Sequence, residues 1–123
     1  MGKKILIVDD DVNARRLVRL NLEEDGYEIH EAENGREGFS KAKQVLPDLV
    51  ILDLMMPDKW GYVVCDELKT DPATKGIPVM FLTSRSSHLS QKMGEIKGGD
   101  YYMTKPFQPA EIRKTVKKLL GLK

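Results

Sequence analysis

Three short runs of the chain are apolar without interruption: Ile5–Val8, Leu49–Leu52 and Val79–Leu82. Four apolar residues in a row, with no polar alternation, predict strands buried on both faces. Tyr27–Ala32 alternates instead, setting Tyr27 and Ile29 against Glu28 and His30, which predicts an edge strand. Tyr101–Met103 is a short fifth candidate. Helical stripes lie between these runs. Ala14, Leu17, Val18, Asn21 and Leu22 share one face of a first helix, and Phe39, Ala42 and Leu46 mark a second, with Asn34 near its start. Val64, Cys65 and Leu68 mark a third, and Leu89, Met93 and Ile96 a fourth. Ile112, Val116, Leu119 and Leu120 form the stripe of a fifth, with Gly121 as its stop signal. Pro57, Pro72, Pro78, Pro106 and Pro109 fall at or near the boundaries, where proline does least harm.

Strict alternation of strand and helix predicts a parallel sheet covered by helices on both faces. Right-handed crossovers then leave few arrangements. Placing the three apolar strands centrally and the second and fifth at the edges gives the order 2-1-3-4-5. That is a three-layer αβα sandwich with the flavodoxin-like (βα)5 winding. At 123 residues, with no repeat, linker or low-complexity tract, the chain reads as one domain over 1–123. A net charge of +1 gives no general reason to expect nucleic acid or an anionic membrane as partner. The basic positions Arg113, Lys114, Lys117 and Lys118 read as a solvated helix face. Leu49–Met56, the longest apolar stretch, is broken by Asp53 and is too short to span a bilayer. A single cysteine, Cys65, rules out an internal disulfide, and the first residues carry no signal-peptide profile, so a cytoplasmic protein is expected.

In such a sheet, ligands bind beyond the carboxyl ends of the strands. Asp9, Asp10 and Asp11 follow the first strand, Asp53 the third and Thr83 the fourth, and the fifth leads to Lys105. Helix capping explains Asp10 or Asp11, but not the whole set, because an acid ending an apolar run carries a desolvation cost. Asp9, Asp10 and Asp53 crowded together repel, which raises the pKa of at least one unless a cation neutralises them. An oxygen-only donor set suits Mg²⁺, with Mn²⁺ able to substitute, and no clustered Cys or His favours zinc. A carboxylate beside such an ion can attack a phosphoryl donor to form an acyl phosphate. A lysine and a hydroxyl can then neutralise and bind the transferred group.

These residues carry a family resemblance. Ile-Leu-Ile-Val-Asp9-Asp10, Leu-Asp53-Leu-Met-Met-Pro57, Leu-Thr83-Ser84 and Lys105-Pro106-Phe107 resemble the CheY-like receiver domains of two-component response regulators, from about Lys4 to Leu120. The resemblance implies that Asp53 is the phosphoacceptor. Asp9, Asp10, Asp53 and the backbone carbonyl of Met55 would hold Mg²⁺. Thr83 would follow the phosphoryl group, Lys105 would pair with it, and Tyr102 would be the aromatic switch that turns inward on activation. A cis Lys105–Pro106 bond is also implied. Met55 and Arg85 occupy positions bordering the phosphoryl group, where they would tune its lifetime. Asp58, Lys59 and Trp60 depart from the smaller or more flexible residues often found before Gly61, and Trp60 is placed to cover part of the site.

The function implied is a switch rather than a turnover enzyme. A sensor histidine kinase or histidine phosphotransfer protein would supply the phosphoryl group, and the receiver would catalyse only its own phosphorylation and dephosphorylation. Phosphorylation would reshape the surface formed by the fourth helical stretch, the fifth strand and the fifth helical stretch. The output would be a downstream protein target or a missing effector domain, with no direct nucleic-acid or membrane contact, from a monomer or a phosphorylation-dependent dimer. An aspartate-nucleophile phosphatase usually needs a second acid two residues after the nucleophile, where this chain has Met55. A flavin carrier of the same winding needs a phosphate-cradling loop after the first strand, where this chain has three aspartates. A non-phosphorylated interaction module would not require Asp53, Thr83 and Lys105 together.

Overall fold

The computed structural model describes residues 2–83 and 99–122. Five parallel strands form one sheet in the order β2-β1-β3-β4-β5: β1 (Lys4–Val8), β2 (Glu28–Ala32), β3 (Leu49–Leu52), β4 (Val79–Thr83) and β5 (Tyr101–Thr104). Four helices are described: α1 (Val12–Glu23), α2 (Gly35–Val45), α3 (Gly61–Thr70) and α4 (Pro109–Leu119). The helical stretch expected around Leu89, Met93 and Ile96, together with Ser84 and Arg85, lies outside the described residues.

The sheet divides two apolar layers. On one side, Leu6, Val8, Val50, Leu52 and Phe81 pack with Ala42 of α2 and Val64, Cys65 and Leu68 of α3. On the other, Ile5, Ile7, Leu49, Ile51, Met80 and Leu82 pack with Val18 and Leu22 of α1 and Ile112 and Val116 of α4. Alternate residues of one strand thus serve opposite layers, so the central strands have to be apolar throughout. All four residues of β3 are buried. In the edge strand β2, Glu28 is exposed and Ile29 packs onto the α1/α4 layer, as its alternation predicts. Cys65 is wholly buried, and desolvation pushes its thiol up to about 11.

Two expected core positions are corrected. Leu17 is 52% exposed, because the buried face of α1 is the narrow line of Val18 and Leu22. Leu46 is equally exposed and lies past the helix proper: it caps α2 in the left-handed conformation (φ 53°), its amide donating to the Ala42 carbonyl.

Candidate functional site

The register of the central strands assembles the site. Val8 pairs with Leu52, so Asp9 and Asp53 emerge side by side as the first residues beyond β1 and β3. The Asp53 amide donates to the Val8 carbonyl at 2.9 Å, and the Asp9 amide to the Ala32 carbonyl at 3.1 Å. Both aspartates are buried, at 5% and 8% exposure for Asp9 and Asp53, whereas Asp10 is exposed. Carboxylate oxygens of Asp9, Asp10 and Asp53 all lie within 4.8 Å of one another.

Asp9 is held on both oxygens. Its Oδ1 accepts the Asp11 amide at 3.0 Å, and its Oδ2 receives Lys105 Nζ at 2.7 Å. Lys105 follows β5 directly, and its peptide bond to Pro106 is cis. Asp11 is the N-cap of α1, its Oδ1 accepting the Asn13 amide at 2.9 Å. The acidic run is therefore divided between capping and the site: Asp11 starts the helix, while Asp9 and Asp10 join Asp53. Arg15 supports this arrangement from α1, donating from Nη1 to the Asp9 carbonyl at 2.6 Å.

Beyond Asp53 the chain turns tightly. Gly61 donates its amide to the Leu54 carbonyl at 2.6 Å, and a Cβ on Gly61 would stand 2.1 Å from the Asp53 carbonyl oxygen. Only glycine permits that approach. Met55, two residues after Asp53, is half-buried in this turn. Thr83 closes β4 and pairs in register with Thr104, one residue before Lys105. Tyr102 is half-buried against the α2/α3 layer, with its ring 6.2 Å from that of Phe81. Trp60 remains 46% exposed and stacks on Tyr62 at 5.8 Å between ring centroids. Sequence patterns missed Arg15 and the bonding role of Asp58, whose carboxylate meets the Gly35 and Arg36 amides at 2.9 and 2.8 Å. Burial alone would raise the Asp58 carboxyl, but these and neighbouring backbone amides outweigh it and hold the group below the ordinary aspartate value.

The donor chemistry fits a hard divalent cation. Three carboxylates converge with no histidine or cysteine among them, and carboxylate oxygens keep further lone pairs beyond the bonds already made. Asp9, Asp10 and Asp53 would hold Mg²⁺, with the Met55 carbonyl close by in sequence.

A doubly wound parallel sheet with an acidic cleft and a lysine at the carboxyl ends of its strands defines a small class of proteins. Residues 5–117 match the response regulator receiver domain model, and the chain belongs to that family. It is 43% identical over 117 residues to the transcriptional regulatory protein ResD of Bacillus subtilis, covering 95% of this chain and 48% of that protein. Among solved structures, the chemotaxis protein CheY4 of Vibrio cholerae superposes with a TM-score of 0.90 at 30% identity, covering 97% of this chain and 99% of that one. The signal receiver domain of a signal transduction histidine kinase from Syntrophus aciditrophicus gives 0.90 at 35% identity, covering 98% and 91%. The chain spans about half the length of the curated relatives it matches. As a member of this family it is a phospho-accepting receiver of two-component signalling, a switch in that system.

Proposed function

We propose that Asp53 is the phosphoacceptor and that Asp9, Asp10, Asp53 and the Met55 carbonyl hold the Mg²⁺ that assists it. The observation that carries this reading is the convergence of three carboxylates within 4.8 Å, with Lys105 reaching Asp9 at 2.7 Å. An Asp53 oxygen attacks the phosphorus of a phosphohistidine or small acyl phosphate. The new O–P bond forms as the P–N or P–O bond breaks; the leaving imidazole takes its proton from solvent, and an acyl-phosphate donor leaves as its carboxylate. Mg²⁺ held by these residues would supply positive charge to offset three carboxylates and a phosphoryl group. Lys105, freed from Asp9, pairs with a phosphoryl oxygen. Thr83 is assigned the hydroxyl that follows the new charge, and Tyr102 the ring that responds, which alters the surface containing β5 and α4.

The partner class is a sensor histidine kinase or histidine phosphotransfer protein, in a cytoplasmic setting, with output to a protein target or attached effector. ResD is named a transcriptional regulatory protein, and a transcriptional output through such an effector is compatible with this receiver. Among the described residues, no helix is long and apolar enough to cross a membrane. The test is incubation with Mg²⁺ and a small acyl-phosphate donor, followed by intact mass. A phosphate-sized gain that needs Mg²⁺ and vanishes in Asp53→Ala is expected. A gain that persists in Asp53→Ala would move the acceptor elsewhere.

A further inference from the structure

The turn from Asp53 to Trp60 is fastened at its far end to a different helix from the one it enters. Trp60, the N-cap of α3, makes no side-chain capping bond. Asp58 instead directs its carboxylate at α2, Oδ1 accepting the Gly35 amide at 2.9 Å and Oδ2 the Arg36 amide at 2.8 Å. Asn34 accepts the Glu37 amide at 2.8 Å, so the first three amides of α2 are all satisfied, two of them by a residue from another loop. A carboxylate there also meets the positive end of the helix dipole. Lys59 adds packing to the bond. Its stem lies where a Cβ on Gly35 would be, 2.5 Å from Lys59 Cγ and 2.9 Å from Val64 Cγ2, while its Nζ reaches Glu67 at 3.1 Å. The turn is thus fixed at its base by the Gly61–Leu54 hydrogen bond and near its tip by Asp58 on α2.

We propose that Asp58 is a positioning residue for the phosphorylation site: its clamp on the amino end of α2 holds the 54–59 turn, and with it the Met55 carbonyl, where the metal needs it. The proposal rests on the assignment of Asp9, Asp10, Asp53 and Met55 to metal binding. It makes α2, which supplies none of the proposed metal-binding residues, the abutment against which the turn is set. It also accounts for Gly35 at the first position of that helix, where a larger residue would push Lys59 and the turn away.

The test compares Mg²⁺ titrations of the isotope-labelled wild type, Asp58→Ala, Asp58→Asn and Asn34→Ala, followed by amide shifts, with hydrogen exchange of 54–59 measured without metal. Asn34→Ala removes a cap from the same helix without touching the turn. Asp58→Ala is expected to weaken Mg²⁺ binding by about 10-fold, in the range seen when residues supporting metal ligands are removed. It should also speed exchange in the turn. Asp58→Asn, which keeps one acceptor oxygen, should recover part of both. Asn34→Ala should lower the melting temperature yet leave Mg²⁺ affinity within about two-fold of wild type. The proposal is overturned if Asp58→Ala binds Mg²⁺ as wild type does, or if Asn34→Ala weakens binding equally. A wild type that binds no Mg²⁺ would remove the metal-site assignment and this proposal together, a result separate from a silent Asp58→Ala.

Discussion

Two charged clusters share a residue of α1, and they are built on opposite principles. In one, Arg15 and Arg19 of α1 both bond Glu31 of β2, and Arg19 also bonds Glu23 at 3.0 Å. Two cations face two carboxylates, each within direct reach. In the other, Asp9, Asp10 and Asp53 gather at one rim, and Lys105 is bonded to the Asp9 carboxylate. Arg15 belongs to both, with Nε on Glu31 at 2.9 Å and Nη1 on the Asp9 carbonyl at 2.6 Å. The comparison separates structure from readiness. The balanced cluster pairs its charges from within and ties a helix to an edge strand, whereas the acidic one is where we propose that a metal ion and a phosphoryl group bind.

The largest expected difference between the clusters is in chemistry. Lys105→Met should slow Mg²⁺-dependent phosphorylation by about 10²-fold, the scale of losing one preorganised charge at a transferring group. Glu31→Gln should leave that rate nearly unchanged in the same time course by intact mass. Equal losses would mean that the balanced cluster also takes part in the reaction.

Ligand-dependent stability is the next contrast. Mg²⁺ at about a hundred times its dissociation constant should stabilise the fold by about 2.7 kcal/mol in urea unfolding. Asp10→Asn should forfeit most of that increment, and Glu31→Gln should keep it. A full increment in Asp10→Asn would take that residue out of the metal site.

The smallest effect is the intrinsic stability of the balanced cluster. Glu31→Gln should cost roughly 0.5–1 kcal/mol without metal, since its partners are partly exposed to solvent. Burial alone would raise the Glu31 carboxyl, but the bonds from Arg19 and Arg15 outweigh it and lower the group below its ordinary value. A carboxyl lowered in the folded state stabilises fully above its unfolded pKa, about 4.3. That stabilisation is lost as pH falls through the lower folded value. Wild type and Glu31→Gln should therefore begin to converge in urea midpoint as pH falls below about 4.3 and coincide once it has passed the lower folded value. A constant difference across that range would show that packing, not charge, carries the effect.

The sheet was legible because its central strands serve two apolar layers and must be apolar throughout, a pattern visible in Leu49–Leu52 without any partner. The acidic rim was legible for a related reason: Asp9 and Asp53 end such runs, and parallel register does the rest. Helix faces were less so. Periodicity put Leu17 on the stripe of Val18 and Leu22, but one residue of rotation, about 100°, turns it to solvent. Leu46 continued the spacing of Phe39 and Ala42, yet the helix ends there by reversing handedness. Asp58 was invisible as a clamp because its partners are the amides of Gly35 and Arg36, 22 or 23 residues away. An aspartate after a proline reads locally as turn chemistry. The available clue was a helix opening with glycine, whose leading amides needed acceptors that its own cap could not all supply.

The tight crossing at Gly61 bears on how large-scale substitution data for this protein would be interpreted. Any side chain there meets the carbonyl of Asp53 itself, at 2.1 Å for the first carbon. In a screen scored by signalling output, position 61 would therefore rank beside Asp53, although it donates no atom to the chemistry. Scoring the same library by abundance as well would separate the two, because Asp53→Asn should leave a well-folded, silent protein while most changes at Gly61 should deplete the folded chain.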